Sequence, residues 1–143
     1  MLFHWIHLVP VRTFSAEQDG SRMQDITLEM IIGIHDGILT RDVNDCRIVS
    51  EGNLHQLVFQ ANLTEDPVLR AATVFWLLCA YPAFREGNRR TAHRLAETIL
   101  SSGDVSISLP CNEMRALAQG IDAFTIETED VECVIRSYWE KSA

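Results

Sequence analysis

Residues 81–94, Y-P-A-F-R-E-G-N-R-R-T-A-H-R, contain the side chains of this chain that are best suited to binding an anion. Gly87 lets a ligand approach the backbone closely, and Asn88 can cap a helix that begins there. The free N–H groups and the positive dipole end at the start of a helix favour a bound anion. Arg89 and Arg90 add positive charge to the first helical turn, which is unfavourable unless an anion compensates it. The pattern therefore predicts a phosphate-binding loop.

Glu86 is the one acidic residue of this loop. Mg²⁺ is commonly held by one or two carboxylates together with the phosphates of a substrate, so Glu86 favours a nucleotide site with Mg²⁺. The residues alone leave a second interpretation open, in which the loop is a solvated charged turn and Glu86 pairs with an arginine at the surface.

The loop resembles the signature of the Fic/Doc family, and more closely that of its Doc-like (death-on-curing) branch. Five positions of the family motif H-x-F-x-[D/E]-[G/A]-N-[G/K]-R are matched at the same spacing, by Phe84, Glu86, Gly87, Asn88 and Arg90. Weaker similarity extends over about residues 22–140. The resemblance implies an ATP-dependent enzyme that transfers AMP or a phosphoryl group to a hydroxyl of a target protein. In Doc-like toxins a small antitoxin protein acts as the inhibitor.

The resemblance also implies roles for the residues of the loop. Glu86 would hold Mg²⁺, and Gly87 and Asn88 would form the anion hole. Arg90 would bind a phosphate of ATP, and Arg89 stands beside it where the family usually has Gly or Lys.

Two further roles follow from the resemblance. Phe84 would anchor the loop in the core. Residues 41–52 break the helical pattern and predict a loop that holds one short hairpin or flap. In this flap Arg47, Ile48 and Val49 would position a segment of the target protein by strand addition, which depends little on the target's sequence.

A second motif position, besides that of Arg89, departs from the family. Pro82 occupies the place of the catalytic histidine, which acts as the general base on the attacking hydroxyl, and proline has no titratable group. Tyr81 and His93 are the nearest substitutes, but a phenol is a weak base at neutral pH and His93 is expected on a helix surface. The sequence therefore predicts a degenerate transferase that still binds a nucleotide or phosphate. An active ATP-dependent transferase and a non-catalytic interaction protein are the alternatives.

The elements that position this loop are predicted to be helices. Apolar residues recur at helical spacing over residues 26–39, 53–62, 68–80, 89–102, 110–122 and 128–139, with N-caps at Thr27, Asp66 and Thr128 and a stop at Gly103. The segment 68–80 is apolar nearly all round, which is typical of the central helix of a bundle. We expect an all-α, Fic/Doc-like bundle of about six helices with a short β-flap.

Composition limits the remaining possibilities. The 143 residues suit one domain, and 47% hydrophobic residues exclude a disordered chain. The formal net charge of −8 argues against binding to nucleic acid or to an anionic membrane surface. Residues 1–21 form an apolar arm, too short to span a bilayer, that would favour a homo-oligomer, and residues 22–143 form the domain. Four cysteines without C-x-x-C spacing indicate a cytoplasmic protein, with Cys79 and Cys133 buried.

Overall fold

All the secondary-structure elements in the described parts of the chain are helices, joined by loops. A computed structural model of the chain describes residues 23–39, 45–101 and 106–142. In these ranges the elements are α1 (Leu28–Gly37), α2 (Glu51–Ala61), α3 (Pro67–Ala80), α4 (Asn88–Leu100), α5 (Cys111–Asp122) and α6 (Thr128–Ser142). The prediction of an all-α bundle of about six helices is confirmed. The predicted arm at residues 1–21 and the predicted stop at Gly103 lie outside the described residues.

Side chains at the helix starts explain where several helices begin. Thr27 caps α1 and Asp66 caps α3, as predicted, because each side-chain oxygen accepts a backbone N–H of the first turn. Ser50 does the same for α2, so that helix begins two residues earlier than predicted. The predicted cap Thr128 is wrong: it is the first residue of α6, and the carbonyl of Glu127 already accepts a helical N–H.

Helix α3 lies at the centre of the bundle and packs against α2, α4, α5 and α6. Its sequence is apolar on every side, so a central position removes most of its surface from water and the prediction is confirmed. Arg70 is the exception, because its guanidinium is buried in this helix and donates hydrogen bonds to the carbonyls of Thr64 and Gln24. These bonds compensate the cost of burying a charged group and tie the chain before α1 to the core.

The cysteines are placed differently from the prediction. Cys79 is mostly buried in α3, as expected, and its burial raises the pKa of its thiol to about 12. Cys133 is exposed on α6, so the prediction that it is buried is wrong. No helix among the described residues has both the length and the apolar character needed to cross a membrane.

Candidate functional site

The loop of residues 81–87 joins the central helix to α4. The side chain of Asn88, the first residue of α4, folds back and holds the loop closed. The side chain of Asn88 does not cap α4, which corrects the sequence prediction. Its Oδ1 instead accepts the N–H groups of Ala83 and Phe84 at 3.0 and 2.9 Å, and its Nδ2 donates to the carbonyl of Phe84 at 2.8 Å. Gly87 takes the N-cap position with a φ of 83°, a conformation that suits glycine. The first turn of α4 therefore has no side-chain cap.

A buried histidine from another helix supports this loop. His35, in the last turn of α1, stacks on the ring of Phe84 with 3.8 Å between centroids and an interplanar angle of 4°. Its Nε2 lies 2.8 Å from the carbonyl oxygen of Glu86, and because that oxygen can only accept, Nε2 carries the hydrogen. His35 and Phe84 are both buried, which confirms Phe84 as an anchor in the core. The contact joins positions 51 residues apart, so helical periodicity could not reveal it.

The segment predicted as a flap holds the opposite side of the loop. The N–H of Val49 donates to the carbonyl of Ala83 at 2.7 Å, and the N–H of Arg85 donates to the carbonyl of Arg47 at 2.9 Å. Ile48 forms the single antiparallel bridge of the described residues, with Phe84. The side chains of Ile48 and Val49 are exposed. The loop is therefore held from both sides, by α1 and by residues 47–49.

A cleft of about 430 Å³ opens beside the first two turns of α4, and we call it the basic cleft. Four arginines line it: Arg89, Arg90 and Arg94 of α4, and Arg115 of α5. The first two were predicted as site residues from the sequence, whereas Arg94 and Arg115 were not. Arg115 lies 25 positions beyond Arg90, and only the packing of α5 beside α4 brings it to the same cleft. The remaining lining residues are Gly37, Ile38, His93, Glu97 and Cys111.

His93 and Glu97 connect one wall of the basic cleft to the chain before α5. The Nε2 of His93 donates to the carbonyl of Leu109 at 2.9 Å and lies 3.2 Å from a carboxylate oxygen of Glu97. The same carboxylate accepts the N–H of Leu109 at 2.8 Å. The side chain of His93 is only 12% exposed, so the expectation of a surface histidine is wrong. Both side chains are engaged in holding the structure.

The two residues considered as substitutes for the base that the resemblance implies, Tyr81 and His93, lie in different places. Tyr81 is 55% exposed and lines a second cleft, of about 480 Å³, between α2 and α3. Pro82 is exposed beside it, and its carbonyl accepts a hydrogen bond from the side chain of Asn53. His93, in contrast, borders the basic cleft. The structure therefore brings His93 to the arginines and places Tyr81 on the wall of the other cleft.

Glu86 lies at the turn between the loop and α4, and its side chain is partly buried. No group of three or more His, Cys, Asp or Glu side chains suited to a metal ion occurs in residues 23–39, 45–101 and 106–142. A carboxylate at this position matches the chemistry of Mg²⁺ only together with phosphate oxygens, because that ion takes six oxygen ligands, several of them from water and substrate.

Comparison with known proteins does not identify the chain. The sequence matches no protein-family model and no curated protein. The chemistry of the two clefts is therefore the basis for assigning a function.

Proposed function

We propose that this chain is a degenerate Doc-like protein of the Fic fold, which binds a nucleotide or a related phosphate ligand in the basic cleft and has lost efficient transfer chemistry. The observation that carries this proposal is the meeting of four arginines in one cleft beside the uncapped first turn of α4. The chain has a formal net charge of −8, and four of its 12 Lys and Arg residues line this one cleft.

Electrostatics supports an anionic ligand. Like charges that share a cleft repel one another, and Glu97, the single carboxylate of the lining, lies 3.9 Å from Arg94 and compensates at most that one of the four charges. A ligand with several phosphate oxygens removes this repulsion. Guanidinium groups bind such oxygens through two parallel hydrogen bonds each. The first-turn N–H groups of α4 add donors and the positive end of the helix dipole.

The surroundings of the loop support loss of catalysis. The residue at the position of the family's base is Pro82, and its ring offers no proton acceptor. Tyr81 lines the other cleft, and the Nε2 of His93 donates to the carbonyl of Leu109, which leaves Nδ1 as the one proton acceptor of its ring. Loss of a general base lowers a rate by about 10²–10⁴-fold. Ligand binding does not need the base and is retained in this proposal.

Glu86 would hold Mg²⁺ when a nucleotide is bound, which would help to neutralise the phosphate charge.

The resemblance to Doc-like proteins also implies protein partners. A cytoplasmic protein would present residues 47–49 to a segment of a target protein, and an antitoxin-like inhibitor or a second copy of the chain would be its other partner. The exposed side chains of Ile48 and Val49 are consistent with a contact surface.

Thermal unfolding with ATP and Mg²⁺ tests the binding. A ligand at a hundred times its dissociation constant stabilises the folded state by about 2.7 kcal/mol, so we expect a clear rise in melting temperature at millimolar ATP. Arg90→Ala and Arg115→Ala should abolish the rise, because each removes a guanidinium from the cleft. Arg85→Ala is the matched control, since Arg85 is exposed and does not line the cleft. An unchanged melting temperature in the wild type would refute the proposal.

Labelled ATP tests the loss of transfer. We expect the purified protein to label no protein of a bacterial lysate with either α- or γ-labelled ATP, while still binding ATP. Labelling that disappears in Glu86→Ala would show instead that the chain is an active transferase. The label retained would then distinguish AMP transfer from phosphoryl transfer.

A further inference from the structure

The cleft between α2 and α3, which we call the neutral cleft, differs in chemistry from the basic cleft. Its volume of about 480 Å³ is in the range of ligand sites, which is about 300–1,000 Å³. No described residue of its lining carries a charge. Its polar groups include three carboxamides from one helix, those of Asn53, Gln56 and Gln60. A charged ligand would find no counter-ion here and would lose its hydration, so the cleft favours a neutral ligand.

The carboxamides form a row along one face of α2. Their spacing of three and four residues places them on successive turns, and the row from Asn53 to Gln60 is about 10 Å long at 1.5 Å per residue. Each carboxamide has two N–H donors and one carbonyl acceptor, the same pair of functions that a peptide bond offers. Asn53 already uses a donor on the carbonyl of Pro82. Within the described part of the chain, the side-chain carboxamides of Gln56, which is exposed, and of Gln60, which is half-buried, have no hydrogen-bond partner.

The opposite wall of the neutral cleft combines the apolar and aromatic side chains of Trp76, Leu77 and Tyr81 with two threonines, Thr73 and Thr128. The indole N–H of Trp76 donates to the carbonyl of Ile126 at 2.9 Å, so its ring offers apolar surface rather than a donor. Tyr81 packs edge-on against this ring with 6.0 Å between centroids. One wall can therefore bind the main chain of a ligand while the other contacts uncharged side chains.

We propose that the neutral cleft binds an extended segment of another polypeptide whose side chains are uncharged. An extended chain rises about 3.3 Å per residue, so the row of carboxamides spans about three residues of such a segment. Apolar surface is also exposed at one end of the cleft. Tyr81, which lines the cleft, is more than half exposed, and the next residue, Pro82, is exposed as well. A longer segment would bury this surface, whereas a compact sugar or free nucleoside would leave it in water. The proposal does not depend on anion binding in the basic cleft.

Selection from a random nonapeptide library displayed on phage, with the full-length protein as the target, tests this proposal. The selected peptides are synthesised with a fluorescent label, and their binding is measured by anisotropy. We expect runs of uncharged residues to be enriched in the peptides that bind, relative to the unselected library. The double variant Gln56→Ala/Gln60→Ala should weaken binding about tenfold, because each lost hydrogen bond contributes modestly.

Gln119→Ala is the matched control, since Gln119 is exposed on α5 and does not line the cleft. Circular dichroism verifies that all variants are folded. Equal binding by the double variant and the wild type would overturn the proposal, as would a library that yields no binder. A response of tryptophan fluorescence to maltotriose, without peptide binding, would assign the cleft to a neutral sugar and would also overturn it. Failure of ATP binding alone would concern only the basic cleft.

Discussion

The contact of His35 with the loop provides the sharpest test of how the site is held. In His35→Phe an aromatic ring still stacks on Phe84, but the carbonyl of Glu86 loses its donor. A polar group that loses its partner away from water costs about 1–3 kcal/mol, but the same substitution removes the Nδ1 of His35, which is buried without a hydrogen-bond partner among the described residues. We therefore expect a net cost at the lower end of this range, about 1 kcal/mol, which for a domain of this size corresponds to a fall in melting temperature of about 4 °C.

The same variant should also weaken phosphate binding. The carbonyl of Glu86 adjoins Gly87, whose left-handed backbone leads directly into the first turn of α4. Releasing this carbonyl lets the turn move, and a misplaced set of N–H donors binds an anion less well. We expect the dissociation constant for ATP, measured by isothermal titration calorimetry, to rise several-fold.

Trp76→Phe is the matched control for this prediction. The indole of Trp76 also donates to a backbone carbonyl, that of Ile126, but it lies in the cleft between α2 and α3 rather than beside the carbonyl of Glu86. We expect it to lower the melting temperature without changing ATP affinity. If His35→Phe melts within 1 °C of the wild type, or if both variants bind ATP equally well, the reasoning about this support is wrong.

Three further predictions concern packing, charge and cysteine reactivity. A Cβ at Gly120 would collide with the side chain of Ile126, so Gly120→Ala should lower the free energy of unfolding, measured in urea melts, by about 1–3 kcal/mol. Gly33→Ala is the control and should not lower it, because a Cβ at Gly33 meets no neighbour. The hydrogen bonds from Arg47 lower the pKa of Asp45 to about 2. Their contribution to the stability of the fold is therefore complete above about pH 4 and is lost as the pH falls through about 2. In Arg47→Ala, NMR titration should give Asp45 a pKa near its ordinary value of 3.8. Iodoacetamide at pH 8 should label the exposed Cys111 but not Cys79, whose pKa of about 12 keeps the thiol protonated. Because Cys111 lines the basic cleft, mass spectrometry should show that ATP protects it from labelling. Labelling of Cys79 in the folded protein, or no protection of Cys111, would contradict this prediction.

Local features of the fold were predictable because they depend on neighbours in the sequence. The cap at Asp66 and the proline after it define the start of α3 through hydrogen bonds and backbone angles within three residues. The all-apolar character of the same helix indicated its central place. Thr128 was predicted wrongly because a residue near the start of a helix has several allowed positions. Cys133 was predicted wrongly because it lies away from the face of α6 on which Val131 and Ile135 are buried.

The sequence by itself determined the all-helical class, the position of the 81–87 loop between two helices, and the absence of a histidine at position 82. These follow from periodicity, from turn chemistry and from residue identity. The tertiary structure alone decided that Arg94 and Arg115 join Arg89 and Arg90 in one cleft, and that His35 supports the loop from 51 residues away. Such contacts join residues far apart in the chain, and their geometry arises only when helices pack against one another.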